Sequence, residues 1–156
     1  MVAASSPEEL TEALLTASRA LVAVAARSLA AADTEVTLPQ YRALVVLAAR
    51  GPRRVGELAE VLDIHPSTAT RLCDRLVHHR LVTRTIDRSN RRETTIALSA
   101  WGKGLVDRVT EVRRAEIRTI VRRIPEDLRA SAVIALVAFN DAAGEPPQEA
   151  WTMGWS

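Results

Sequence analysis

Residues 66–79 read PSTATRLCDRLVHH, and the rest of the chain is best interpreted outward from this segment. Its apolar side chains recur at intervals of three and four residues, which is the spacing of one face of an α-helix. Pro66 suits the first turn of a helix, because the missing N–H is not needed there. We therefore predict an amphipathic helix. Its buried stripe is Ala69, Leu72, Cys73, Leu76 and Val77, and its polar face carries Ser67, Thr68, Thr70, Arg71, Asp74, Arg75 and His78.

Directly after this segment the apolar period changes from 3.6 residues to two. Residues 81–86 (LVTRTI) and 94–98 (TTIAL) are rich in β-branched side chains and flank the polar turn DRSNRR at 87–92. Two such runs around a polar turn predict a β-hairpin. Its tip is basic.

Five further helices are predicted from breakers and periodic apolar residues. Thr37 and Pro39 mark the start of one of them, Ser99 is a plausible N-cap, and Pro125 separates the last two. The predicted spans are about 8–32, 38–50, 54–62, 100–124 and 126–143.

The first of these helices carries a narrow apolar seam typical of helix-against-helix packing. The seam is longer than one small lobe can cover, which indicates contact with another subunit. It consists of Leu10, Leu14, Ala17, Leu21, Val24 and Ser28.

A short helix, an amphipathic helix and a basic hairpin in this order predict a winged helix-turn-helix. An α-helix fits the major groove of DNA and reads base edges with its N-terminal residues, while a neighbouring arm reaches the minor groove. Double-stranded DNA is therefore the expected partner. We expect Ser67, Thr68, Thr70 and Arg71 to read the major groove, Arg88, Arg91 and Arg92 to reach the minor groove, and Arg54, Arg75 and Arg84 to contact phosphates.

The ordered set of motifs resembles the MarR family of multiple-antibiotic-resistance regulators over about residues 10–143. The matching stretches are VGELAEVL at 55–62, PSTATRL at 66–72, LVTR at 81–84 and LSAWG at 98–102. Two positions depart from the family pattern. Arg80 stands where the family often has glycine, and Asn90 stands where an aspartate often braces the wing, although Asp87 is a possible substitute.

The resemblance implies a homodimer that binds a pseudo-palindromic operator and usually represses. It also implies release of DNA when a small, often aromatic or phenolic, ligand occupies a cleft between the dimer helices and the reading lobe. The residues carried over to that cleft are Ser18, Arg19, Tyr41 and Arg42.

The expected fold class is mainly α with a small β-hairpin wing, a winged helix-turn-helix with long N- and C-terminal dimerisation helices. We divide the chain into an N-terminal dimerisation helix (1–36), a winged helix-turn-helix lobe (37–98), C-terminal dimerisation helices (99–143) and a tail (144–156). Trp151 and Trp155 in the tail either dock on the partner subunit or lack fixed structure. Trp101 is expected to pack in the core rather than line a ligand cleft.

The charge is unevenly distributed along the 156 residues, although the formal net charge is only +2. Residues 50–92 hold ten arginines against five acidic residues, a local balance of +5, and the remaining 11 basic and 14 acidic residues give −3. A basic middle between acidic ends is the electrostatic footprint of nucleic-acid binding. A second basic run, on the helix after the hairpin, is interpreted as a solvated face rather than a second DNA contact.

Other classes of function have weaker support. A winged-helix protein-interaction module remains open, as does a thiol or oxidant-responsive regulator using Cys73, the only cysteine, although its place on the apolar stripe favours an inert thiol. No metal site is expected, because Cys73, His78 and His79 do not share a helix face. His65 either ends a turn or touches a phosphate. We find no catalytic motif and expect neither enzymatic activity nor a cofactor.

The N-terminus lacks the basic region and cleavage site of a signal peptide. Arg19 and Arg27 interrupt the best candidate for a membrane span. We therefore expect a cytoplasmic protein that makes no membrane contact.

Overall fold

The computed structural model describes residues 6–32, 34–86 and 94–145. The elements in chain order are α1 (Pro7–Ala31), α2 (Leu38–Arg50), β1 (Arg53–Arg54), α3 (Val55–Leu62), α4 (Pro66–His78), β2 (Val82–Ile86), β3 (Thr94–Leu98), α5 (Ala100–Val121) and α6 (Glu126–Ala143). The mainly helical fold with a small sheet, a winged helix-turn-helix, is thus confirmed.

Three helices begin at side-chain caps, of which Thr37 and Ser99 were expected from the sequence and Ser6 was not. The Ser6 hydroxyl accepts a hydrogen bond from the Glu9 amide, and the Glu9 carboxylate accepts one from the Ser6 amide. Thr37 and Gln40 form the same reciprocal capping box at the start of α2. Ser99 accepts from the amide three residues later. Each cap satisfies an amide that the helix itself leaves unpaired.

The sheet has three antiparallel strands in the order β1-β3-β2. The hairpin predicted from the β-branched runs is β2–β3, with Val82 opposite Leu98 and Ile86 opposite Thr94. The sequence interpretation missed β1, because it treated Arg54 as the start of a helix. Arg53 and Arg54 in fact pair with Ile96 and Thr95 before α3 begins.

The core lies where α2, α3, α4 and the sheet meet the first half of α5. Leu105 and Val109 are side chains of α5 that are buried in this core. The largest fully buried aliphatic side chains come from five different elements, so the core holds the reading lobe and the start of α5 together. They are Leu44, Leu47, Leu58, Leu76, Ile96 and Leu105.

Large apolar surfaces of α1 and α6 remain uncovered within one chain. The predicted α1 seam is buried at Val24 and Ser28, but Leu10 and Leu21 are exposed. α6 has no buried residue, and Ile134 on it is 72% exposed. The other exposed apolar side chains of α6 are Leu128, Val133, Leu136, Val137 and Phe139. Contiguous surfaces of this kind mark interaction sites.

By length and composition α1 is also apolar enough to cross a bilayer, and 17% of its most apolar window is buried. The sequence interpretation rejected a membrane span because it required an apolar run without charges, and Arg19 and Arg27 interrupt this helix. α1 is tied to α5 by an ion pair between Arg27 and Glu116. The composition alone is weak support for a membrane segment, because a helix that packs on another subunit has the same character.

Trp101 does not pack in the core as expected. Its side chain is 64% exposed, and the Arg108 guanidinium lies 5.6 Å from the centre of its ring. The apolar positions of this part of α5 that do reach the core are Leu105 and Val109. Trp101 is one turn before Leu105 but at the exposed edge of this face, beside Arg108, so its size gave a misleading signal.

A tight joint connects the end of the reading helix to the start of α5. Arg80 adopts a left-handed backbone conformation (φ 59°). Glycine takes this conformation at little cost, which explains its frequency at this position in the MarR family that the sequence resembles. Its carbonyl accepts a hydrogen bond from the Ser99 hydroxyl at 2.7 Å, and the Leu81 carbonyl accepts one from the Ser99 amide at 3.1 Å. Gly102 lies against the same strand entry, where a Cβ would be 2.0 Å from the Leu81 carbonyl oxygen.

We expect Gly102→Ala to lower the free energy of unfolding by about 1–3 kcal/mol or more, because the added methyl group meets backbone that cannot move aside. Gly104→Ala is the matched control on the same helix, since its Cβ would meet only the Arg108 guanidinium at 3.5 Å. Removing a helical glycine there should raise the free energy of unfolding by about 0.5–1 kcal/mol. Urea denaturation of both variants measures the two changes in the free energy of unfolding. Equal changes would contradict a close approach of Gly102 to the Leu81 carbonyl.

Candidate nucleic-acid interface

The polar face of α4 points away from the core, as the sequence predicted. Ala69, Leu72, Cys73 and Leu76 are buried, and Val77 is half-buried. The opposite side of the helix is exposed throughout, from its first turn to its last. The residues on it are Ser67, Thr68, Thr70, Arg71, Asp74, Arg75 and His78.

His65 is the N-cap of α4, a role that sequence reasoning left undecided. Its Nδ1 accepts a hydrogen bond from the Ser67 amide at 3.2 Å and lies 2.8 Å from the Ser67 hydroxyl. Because Nδ1 accepts, a neutral His65 carries its proton on Nε2. Histidine is an uncommon cap, so the usual Ser, Thr, Asp or Asn signal was absent.

One cleft beside α4 separates it from the start of α2. Three of the expected DNA-contacting side chains, Thr68, Arg71 and Arg75, line this cavity of about 300 Å³. Thr37, Pro39, Gln40 and Leu72 complete its lining. The two arginines are one helical turn apart, so they face the same side of α4. Thr37 and Gln40 were not singled out by the sequence as site residues, because their capping role hides their position beside α4.

A second cleft, of about 460 Å³, lies on the other side of α4, between α3 and the sheet. It is lined by three other expected DNA-contacting residues, Thr70, Arg84 and Arg54. Val55, Gly56, Glu57, Glu60 and Thr94 form the remainder. The Thr70 hydroxyl donates to the Pro66 carbonyl at 3.0 Å, which leaves its oxygen available as an acceptor. The expected contacts thus divide between two clefts that flank one exposed helix.

Arg84 is not a free phosphate ligand in this state. Its guanidinium donates to the Asp74 carboxylate at 2.6 Å, which joins α4 to β2. The pair is partly exposed, so its contribution to stability is modest. Its geometric effect is to fix the hairpin relative to the reading helix, a brace that the sequence interpretation sought in the turn at 87–92 instead.

The expected minor-groove residues Arg88, Arg91 and Arg92 lie outside the described residues, as do Asp87, Asn90, Trp151 and Trp155.

The four residues expected to share a ligand cleft have different neighbours. The Ser18 hydroxyl donates to the Leu15 carbonyl and the Arg19 guanidinium to the Thr16 hydroxyl, both within α1. Arg42 pairs with Glu145 at 3.1 Å, just past the end of α6. Tyr41 is turned inward against α5 and is 3% exposed. Within the described part of one chain, these four side chains therefore have separate neighbours.

Cys73 is fully buried, and burial raises the pKa of its thiol to about 11. The neighbouring Arg84 opposes this increase and Asp74 adds to it. The thiol is thus protonated at neutral pH, whereas oxidation and metal binding require the thiolate. Within residues 6–32, 34–86 and 94–145, no group of three or more His, Cys, Asp and Glu side chains is arranged to hold a metal ion.

The chain is similar to known transcriptional regulators along most of its length. The pattern that defines the MarR family matches residues 36–94, which run from just before α2 through α3, α4 and β2 to the first residue of β3. The HTH-type transcriptional repressor MdtR of Bacillus subtilis (strain 168) is 30% identical over 105 residues, which cover 66% of this chain and 68% of that protein.

Solved structures extend the similarity to nearly the whole chain. Rv1404 from Mycobacterium tuberculosis has a TM-score of 0.84 and 44% identity, and the match covers 94% of this chain and 99% of that one. BpsR of Bordetella bronchiseptica, whose structure concerns the regulation of DNA binding by 6-hydroxynicotinic acid, has a TM-score of 0.62 and 19% identity, covering 90% and 97% of the two chains. The latter similarity shows the fold alone.

We expect Cys73 in the folded protein to react with a thiol reagent such as Ellman's reagent far more slowly than free cysteine at pH 8. Its raised pKa of about 11, against an ordinary 9.0, leaves almost no thiolate at that pH. Full reaction should appear only when denaturant unfolds the chain. Rapid reaction of the native protein would contradict an inert thiol and restore the oxidant-responsive interpretation.

Proposed function

Because the chain belongs to the MarR family of DNA-binding transcriptional regulators, we propose that it represses its target genes by binding a pseudo-palindromic operator as a homodimer. A small ligand then releases it from that operator. The observation that carries this proposal is the exposed polar face of α4, which lies between two arginine-lined clefts.

The arrangement of side chains on α4 supports base contacts by some residues and phosphate contacts by others. Arg71 lies in the first half of the helix, where residues reach base edges when a recognition helix enters the major groove. Arg75 lies one turn further along, where it meets the phosphate backbone beside the groove. Ser67, Thr68 and Thr70 add short donors and acceptors to the reading end. Arg54 contacts backbone phosphate across the second cleft, and Arg84 does so by exchanging its Asp74 partner for a phosphate. Arg88, Arg91 and Arg92 reach the minor groove.

The uncovered apolar surfaces of α1 and α6 support a dimer. Residues 1–36 and 99–143 form the dimerisation helices in this proposal, and residues 37–98 form the reading lobe. A two-fold dimer presents two copies of α4, so the operator half-sites lie about one helical turn, or roughly 34–36 Å, apart.

Release by a ligand and a repressing role are proposed from the relatives. MdtR is a repressor, and DNA binding by BpsR is regulated by 6-hydroxynicotinic acid. A regulator that acts on chromosomal DNA in this way works in the cytoplasm. The expected phenolic or aromatic ligand is not identified by the residues carried over to the cleft, since these have separate neighbours in one chain.

We expect Arg71→Ala to relax the sequence preference and Arg75→Ala to weaken binding to all duplexes alike. A bidentate arginine contact to a base contributes about 1–3 kcal/mol of discrimination, whereas a phosphate contact carries no sequence information. A selection of bound duplexes from random DNA, followed by titrations at several salt concentrations, separates the two effects. For Arg75→Ala the slope of log K against log salt should fall by about one.

An unchanged preference for Arg71→Ala would show that another part of the surface reads the operator. Failure of the unmodified protein to bind any duplex at low salt would favour the winged-helix interaction module instead.

We expect Ile134→Asp on α6 to raise the dimer dissociation constant by at least about a hundredfold, because it would bury an unpaired carboxylate in the interface. Ser131→Asp adds the same charge to the same helix at a position that is already polar. Analytical ultracentrifugation measures both constants, and operator affinity should fall together with dimer population. A monomeric unmodified protein, or equal effects of the two variants, would contradict a dimer built on α6.

A further inference from the structure

The two ring nitrogens of His65 have different surroundings at the start of α4. Nδ1 accepts a hydrogen bond from the Ser67 amide, while the residue as a whole is exposed. Within the part of the chain that the structure describes, Nε2 has no hydrogen-bond partner. Because an amide N–H can only donate, Nδ1 carries no proton, and the neutral ring has its N–H at Nε2. His65 thus holds one N–H donor that the described part of the protein does not use.

The first turn of α4 has no free backbone amide to offer an anion. Pro66 has no N–H, and the Ser67 amide donates to His65 Nδ1. The amides of Thr68 and Ala69 donate to the His65 carbonyl at 2.9 and 3.1 Å. A helix N-terminus ordinarily binds phosphate through such amides, and its dipole favours negative charge. Here the dipole remains, but the donor that is available to a phosphate belongs to the imidazole.

The cleft between α4 and α2 lies directly beyond His65 along the helix. Its lining includes Thr68, Arg71 and Arg75, which are all exposed. His65 precedes Thr68 by three residues, a spacing that places side chains on the same side of a helix. The Nε2–H therefore extends a row of exposed donors past the start of α4. Two guanidinium groups already make this side of the helix attractive to a polyanion.

We propose that His65 binds DNA through Nε2–H, which donates a hydrogen bond to a backbone phosphate at the edge of the major groove, while Nδ1 caps α4. The inference rests on the proposed function and adds a residue, a donor atom and a protonation state to its DNA contacts. The imidazole is neutral in this contact, because a second proton on Nδ1 would displace the Ser67 amide. Phosphate contacts fix the register of a protein on the duplex without reading its sequence. One side chain thus links the shape of the helix start to the register of α4 on DNA.

A neutral donor has a different salt signature from an arginine. Each phosphate that Lys or Arg neutralises releases counterions, which sets the slope of log K against log salt. A hydrogen bond from a neutral imidazole neutralises no phosphate. Loss of the His65 donor should therefore lower the affinity for every duplex without changing this slope, whereas Arg75→Ala lowers the slope by about one.

Asparagine and glutamine each reproduce one nitrogen of the His65 ring. The Asn amide group lies at the distance of Nδ1 and is a preferred helix cap, so His65→Asn keeps the cap and loses the Nε2 donor. The Gln amide group reaches the position of Nε2, so His65→Gln keeps a donor and loses the cap. His79→Asn makes the same substitution at the other end of α4 and is the matched control.

Fluorescence anisotropy at pH 8 measures the affinity of the full-length protein for two labelled duplexes, one selected from random DNA by the unmodified protein and one of scrambled sequence. We expect His65→Asn to weaken binding to both by about tenfold, the order of one hydrogen bond to a charged acceptor, with the salt slope and the Tm unchanged. His65→Gln should bind more tightly than His65→Asn, although its Tm falls by about 2–4 °C. His79→Asn should bind both duplexes with the affinity of the unmodified protein.

The tautomer of the ring is a second readout, which needs no change in the protein under study. A long-range ¹H–¹⁵N spectrum of protein with ¹⁵N-labelled histidine distinguishes Nδ1 from Nε2. The signals that are absent from His65→Asn identify His65 among the three histidines. We expect the Nε2–H form in the free protein and a shift of the Nε2 signal when either duplex is added.

Unmodified affinity in His65→Asn would reduce His65 to a helix cap and overturn the proposal. A loss confined to the selected duplex, a salt slope lower by one, or an Nδ1–H ring in the free protein would also overturn it. Failure of the unmodified protein to bind either duplex at low salt is a separate result, because it rejects the proposed function itself and the His65 contact with it.

Discussion

The joint between the reading helix and α5 is the constraint on which the rest of the structure depends. Ser99 binds both carbonyls of the turn that follows α4, and it also caps α5. Gly102 then lets the first turn of α5 lie directly against the Leu81 carbonyl. Because these contacts involve backbone on both sides, they fix α5 directly against the end of α4. The direction of α5 in the scaffold therefore sets the direction of α4.

The charged groups on the reading lobe have two separate roles. The Asp74–Arg84 pair removes one positive charge from the free surface and in return ties the hairpin to α4. Arg71 and Arg75 remain beside the α2 cleft and keep their charge for a polyanion. A net charge of +2 conceals this arrangement, since the position of the arginines, rather than their number, makes the surface around α4 positive.

The sequence predicted the helices and the hairpin well because their signals are local. Capping residues, proline positions and apolar periods lie within a few residues of each other, as at Ser99 or in the α4 stripe. Features that depend on distant segments were missed. β1 exists only because Arg53 and Arg54 meet β3, and the partner of Arg84 is on another element. The contacts of Tyr41 with Arg113 and of Arg42 with Glu145 are equally distant in the sequence, so their different directions from neighbouring positions of α2 were not foreseen.

α2 connects the long helices to the cleft beside α4. Its first residues, Thr37 and Gln40, line the cleft that holds Arg71 and Arg75, while Tyr41 packs under α5 a single residue later. Its far end is tied to the end of α6, where Arg50 donates to a backbone carbonyl at 3.4 Å. One turn of α2 thus joins the packing of Tyr41 under α5 to the lining of the arginine-lined cleft, so the position of α2 against α5 fixes the width of that cleft.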